Sequence, residues 1–189
     1  LATHQKGARR SGRTIAFLDE TGSTFRARLG TTWAPIGTAP TLHRLSRRRE
    51  VSSIVLLVAP TQWRQPQVLA RHFEGAIHAQ QVLFALRYFR KRVGHPLLII
   101  WDHLAAHRAR QVKDWLSLHP DDFQVEWLPS YAPELNPEEG CNSWVKGRLL
   151  NALPRDVAEL RHLTRSEFRK LQSRPQVLRS LFRHARLSV

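Results

Sequence analysis

The sequence has no methionine and only one cysteine, and half as many acidic residues as basic ones. A single cysteine, Cys141, excludes an intrachain disulfide and with it the small secreted scaffolds that depend on such bridges. A reducing cytoplasm fits. The longest apolar runs, Ile54 to Ala59 and Leu97 to Trp101, fall far short of the roughly 20 residues that a membrane helix needs, so no membrane partner is expected. No signal-peptide pattern opens the chain. There is also no glycine-rich phosphate loop, which argues against a nucleotide cofactor. The missing methionine, with Leu1 first, reads as an internal fragment or a truncated reading frame.

Positive charge, by contrast, is abundant. Thirty Lys and Arg residues against 15 Asp and Glu give a formal net charge of +15 over 189 residues, which points to a polyanionic partner. That length suits one well-buried α/β domain with tails.

Residues 1–13 carry Lys6, Arg9, Arg10 and Arg13 without apolar periodicity and read as a basic flexible arm or linker remnant. Thr14 to Asp19 is the first strand. Its unbroken apolar run, Ile15 to Leu18, suits a central position covered on both faces. Asp19 closes that run, either as a functional carboxylate or as the polar start of a turn, since Thr21-Gly22 has the composition of a hairpin. Thr24 to Leu29 alternates like a half-exposed second strand pairing with the first, and Val51 to Ala59 is a third strand. Just before it, Arg47, Arg48 and Arg49 form a cationic triplet that either touches phosphate or is a solvated loop. Residues 60–72 fit strand or loop equally.

From Ala76 to Val93 apolar residues recur at helical spacing, and Gly94 and Pro96 end the helix. Leu97 to Trp101 is a strand ending on Asp102, Arg108 to Leu118 an amphipathic helix, and Val125 to Leu128 a further strand. Ligand chemistry in open α/β sheets gathers at such strand ends. Asn136-Pro137 then opens a helix, with Asn as cap and Pro in the first turn. Glu139 falls where a capping box would place a glutamate, so a structural role competes with a chemical one. Two further helices, Asp156 to Leu171 and Pro175 to Leu187, carry arginines at 155, 161, 165, 169, 179, 183 and 186. With few opposing acids, that surface favours nucleic acid.

Several of these segments carry a resemblance. Trp101-Asp-His-Leu-Ala-Ala-His107, Trp127-Leu-Pro-Ser-Tyr-Ala-Pro-Glu-Leu-Asn-Pro-Glu-Glu-Gly140 and Lys146, with Phe17-Leu-Asp-Glu-Thr-Gly22 and Thr32-Trp-Ala-Pro-Ile-Gly37 upstream, resemble the catalytic domain of bacterial mariner-like insertion-sequence transposases of the DDE endonuclease superfamily. The resemblance implies a ribonuclease H-like, integrase-like α/β fold. Its mixed five-stranded sheet, ordered 3-2-1-4-5 and flanked by helices, would occupy residues 14–153, with basic helices 154–189 packed on it. It also implies that Asp19, Asp102 and Glu139 are catalytic and hold two Mg²⁺ ions, for which Mn²⁺ substitutes. Thirty-six residues lie between Asp102 and Glu139, a spacing similar to the family's.

The chemistry agrees, because in-line displacement at phosphorus needs charge stabilisation on both the attacking and the leaving oxygen. Arg47, Arg48, Arg49, Lys146, Arg148 and Arg155 are the expected DNA contacts. The partners implied are transposon-end and target DNA, and a second copy of the chain in a homodimeric DNA complex, cytoplasmic and associated with the nucleoid.

Three positions depart from the family pattern: His103 replaces an asparagine, Glu138 an aliphatic residue and Asn142 a tryptophan. His103 and Glu138, together with His107, which matches a histidine of the family, are candidates for a supporting shell around the acids. His107 would orient phosphate or water, or cap the next helix. His103 and His107 with Asp102 also have zinc-ligand spacing, although no glutamate follows His103 as in the metalloprotease helix. The alternatives are a catalytically inactive, truncated remnant that only binds DNA, and a structural protein unrelated to DNA.

Overall fold

The computed structural model describes residues 12–25, 30–41, 49–102, 109–129 and 133–185. Arg47, Arg48, His103, His107, Arg186 and most of the basic arm lie outside them.

Five strands form one mixed sheet: β1 (Thr14–Thr24), β2 (Arg49–Val58), β3 (Gln67–Glu74), β4 (Leu97–Trp101) and β5 (Phe123–Trp127), in the order β3-β2-β1-β4-β5. β1 runs antiparallel to β2 and parallel to β4, and β4 runs parallel to β5. The order is the expected one, but two places have different occupants. Val51 and its neighbours lie beside β1 rather than at the edge, and the edge strand is β3, in the stretch where sequence decided nothing. Nor does the chain turn at Thr21-Gly22: β1 continues to Thr24, pairing Thr21 with Ser53 and Gly22 with Ser52. The reason is burial. Val51 to Val58 is buried at every position, a longer apolar partner than the half-polar segment 24–29, four residues of which lie outside the described residues.

Strand alternation sends side chains to two separate cores. On one face Ala16, Leu18, Ile54, Leu56 and Ile99 pack beneath α1 (Ala79–Val93) and α2 (Arg110–Ser117). Opposite, Phe17, Val55, Leu57 and Ile100 meet α3 (Glu138–Arg148), α4 (Val157–Gln172) and α5 (Pro175–His184). The helix termini follow local rules. Gly94 closes α1 in the left-handed region at φ 76°, and Asp156 caps α4 by accepting the Glu159 amide at 2.8 Å. The helix expected to reach Leu118 stops a residue earlier, leaving that side chain 77% exposed.

The C-terminal helices are part of the second core, since Phe182 is fully buried and meets Phe17 edge-on at 6.0 Å. Phe182→Ala should cost about 3–5 kcal/mol in a single denaturation transition. A main transition unmoved by that substitution would mean that α5 is an appendage.

Candidate active site

Two of the three expected acids follow from strand register. Leu18 pairs with Trp101 across the parallel β1–β4 ladder, so Asp19 and Asp102 are the next residues on adjacent strands, whose backbones run about 4.8 Å apart. Asp19 belongs to the odd-numbered set that faces α3, the helix carrying Glu138 and Glu139.

Asn136 joins the helix to the strand. Its Nδ2 donates to Asp19 Oδ2 at 3.0 Å, and its Oδ1 accepts the first helical amide, Glu138 N, at 3.2 Å. Sequence marked Asn136 only as a cap. The cap position itself falls to Pro137, and Asn136, one residue before it, accepts the Glu138 amide from outside the helix while the same side chain orients the buried carboxylate. Asp19 Oδ1 accepts the Glu20 amide at 2.7 Å. Among the described residues Glu139 makes no capping-box bond, and its side chain is exposed. The structural role that competed for Glu139 is therefore not the one it plays.

Glu138, one residue earlier, is fully buried. Successive helical residues project about 100° apart, so residues 138, 141, 142 and 145 line the core while 139 turns outward. Asn142 donates to Glu138 Oε2 at 2.7 Å, so one oxygen of the buried acid is satisfied, while Asn142 Oδ1 stays buried without a partner. Glu138 Oε1 has no partner as a carboxylate. Protonated, it becomes a donor toward Asp19, and burial together with the Asp19 charge holds the Glu138 carboxyl well above the usual range.

Asp19 itself is raised to about 6, chiefly by burial, with the charges of Glu139 and Asp102 adding to the shift and the Glu138 and Glu20 hydrogen bonds opposing it. An acid with a raised folded pKa stabilises the fold below its unfolded value and loses that contribution as pH rises through the folded one. Without divalent metal, stability should therefore fall between pH about 4 and 6, by about 3 kcal/mol from Asp19. In Asp19→Asn the slope assigned to this group should vanish. Melting temperatures measured across that range check it, and a slope unchanged in the variant would contradict the assignment.

The corner therefore gathers acids around a net negative charge. No group of three such side chains among the described residues stands close enough to hold an ion as it is. The donor set is nonetheless all oxygen, the kind that magnesium or manganese takes, and a buried Asp19 carboxylate whose charge burial disfavours fits a site that a cation would complete.

Of the expected DNA contacts, Lys146 and Arg148 share the last turn of α3, and Arg47 and Arg48 lie outside the described residues. Lys146 is half-buried on α3 and is among the charges that act on Glu138, while Arg148 stacks over Trp144 at 4.8 Å. Arg155 pairs with Glu159 at 3.0 Å at the start of α4, and Arg49 opens β2. Cys141 is buried, which pushes its thiol up and leaves it unreactive.

A mixed 3-2-1-4-5 sheet with helices on both faces, and with one acid in the middle of β1 and another just past the end of β4 where their parallel pairing stops, has the ribonuclease H-like arrangement. The model of the DDE superfamily endonuclease family matches residues 14–161, and the chain belongs to that family. Among solved structures, the mariner Mos1 paired-end complex with Mg is 17% identical with a TM-score of 0.62, covering 98% of this chain and 58% of that one. The Mos1 transposase paired-end complex with the left transposon end is 16% identical with a TM-score of 0.59, covering 95% and 59%. The Mos1 transposase catalytic domain with Raltegravir and Mg is 15% identical with a TM-score of 0.59, covering 96% and 85%. The chain thus spans less than two thirds of the two paired-end transposases. No curated protein matches the sequence. No helix among the described residues is long and apolar enough to cross a membrane.

Proposed function

We propose that this chain is the catalytic part of a transposase that cuts and joins DNA strands, with Asp19, Asp102 and Glu139 as its metal-binding acids. The observation that carries the proposal is the register placing Asp19 beside Asp102, with Asn136 tying Asp19 to the helix that presents Glu139. When bound, a pair of Mg²⁺ or Mn²⁺ ions would supply charge stabilisation to the attacking and leaving oxygens at phosphorus. Asn136 and the Glu20 amide fix both Asp19 oxygens in orientation. Burial and the Asp19 charge hold the Glu138 carboxyl well above the usual range, which favours its neutral form beside Asp19 in the metal-free protein. Water would attack a phosphodiester to free a transposon end, and the liberated 3′ hydroxyl would then attack target DNA. Residues 14–153 form the catalytic unit in this proposal, the helices within 154–185 pack on it, and two copies share the DNA complex.

Supercoiled plasmid incubated with the protein, with and without manganese and at several salt concentrations, tests the proposal. Metal-dependent nicking is expected. The second reading, a remnant that binds DNA without cutting it, draws on one observation: an acid, Glu138, is fully buried beside Asp19, at a position where the resemblance implies an aliphatic side chain. Salt-sensitive binding with no nicking in either metal would establish that reading instead.

A further inference from the structure

The free edge of the sheet carries a second charged feature that the acid corner does not use. A cavity of about 460 Å³ lies where β3 passes between α1 and α4, lined by Arg71 and His72 of the strand, Arg92 of α1, and Arg161, Arg165 and Arg169 of α4. The three α4 arginines recur every fourth residue, which stacks like charges on one helix face, an arrangement unfavourable unless something answers it. Arg161 reaches Glu74 at 3.1 Å. Among the described residues, Arg92, Arg165 and Arg169 form no ion pair. Arg71 extends from β3 over the rings of Phe84 and Tyr88, at 4.9 and 4.7 Å, and its Nε is buried without a hydrogen-bond partner. Among the described residues, none of those lining the cavity carries a carboxylate.

His72 adds no charge of its own. It shares a hydrogen bond of 2.8 Å with Ser53 Oγ and leans on Phe168. Burial first, then the fields of Arg165, Arg71 and Arg161, push its pKa down to about 4. Three of the lining arginines thus act on one point inside the cavity. The cavity also stands in line with the acid corner: Asp19 pairs with Val55, and Val55 with Ala70, so Ala70 lies two strands across in the same row, about 10 Å away.

We propose that this arginine-lined cavity binds a phosphodiester of the DNA backbone and anchors the duplex beside the acid corner. The proposal rests on the reading of the chain as a DNA-acting enzyme. Guanidinium groups suit phosphate oxygens because their donors are planar and permanently charged, and a backbone offers a regular succession of such oxygens. An acidic peptide at the β3 edge is the rival occupant. The chain's overall charge of +15 favours the nucleic acid.

The test uses the whole chain without divalent metal, so that cleavage plays no part. Binding of a labelled duplex is followed by fluorescence anisotropy over a range of salt concentrations. Arg165→Gln with Arg169→Gln should lower the slope of log affinity against log salt by roughly 2 and weaken binding by roughly 50-fold at about 0.1 M salt. Arg165→Lys with Arg169→Lys keeps both charges and should restore most of the slope, a rescue that a merely misfolded variant would not show. A slope unchanged in the glutamine pair overturns the cavity as a phosphate site and leaves the catalytic reading, tested by plasmid nicking, intact. If an oligoglutamate peptide binds the parent and loses affinity in the glutamine pair while duplex binding holds, the occupant is an acidic polypeptide and the proposal fails. A parent that binds no duplex at the lowest salt fails it as well.

Discussion

Asp102→Asn should reduce manganese-dependent nicking of supercoiled plasmid on the order of 10³-fold or more, while duplex affinity changes less than about twofold. Asparagine has nearly the shape of aspartate and leaves the end of β4 intact, so the fold should survive. What it removes is one negative oxygen at the place where charge must be balanced during displacement at phosphorus. Asp102 is only partly buried, and its charge adds to the upward shift of Asp19. Loss of nicking together with unchanged duplex affinity separates a metal-binding role from loss of the fold. Persistent cleavage would count decisively against the proposed site.

The second large effect is expected at Asn136. Asn136→Ala withdraws a donor from a buried carboxylate and an acceptor from the first amide of α3, so about 2 kcal/mol of stability should be lost at neutral pH. Because that bond also fixes the direction of Asp19, the manganese concentration giving half-maximal nicking should rise about 10- to 100-fold. Saturating metal should recover most of the rate. A purely structural cap would lower the amount of folded protein without moving that midpoint, so the metal titration distinguishes the two roles. Asn136→Asp, which keeps the cap but sets another negative charge against Asp19, should weaken the protein more than alanine at neutral pH and less in acid.

How far these features can be read from the chain depends on whether their cause is local. Leu97 to Trp101 and Ala79 to Val93 announce themselves, because burial on two faces or along one stripe imposes an apolar pattern on neighbouring residues. β3 does not. As an edge strand it is half-exposed, and Gln67, Arg71 and His72 interrupt the alternation that would have marked it. At Thr21-Gly22 turn composition misled, because the pull that keeps β1 extended comes from β2, some 30 residues away.

The same division holds at the site. Asp19 and Asp102 stand out because a charge ending a buried strand is costly without a purpose. The bond from Asn136 to Asp19 spans 117 residues and leaves no mark near either. Which of Glu138 and Glu139 faces inward is a matter of helix phase, which adjacent identical residues conceal. The arginine cavity assembles from three elements, only two of which were legible as such.

The most direct test is crystallographic. Crystals soaked in manganese should give two anomalous peaks at the end of the β1–β4 pair, each within coordination distance of oxygens from Asp19 and from Asp102 or Glu139. Manganese absent from that corner at saturating concentration, or bound only by residues elsewhere, would contradict the claim that these three acids form a metal site.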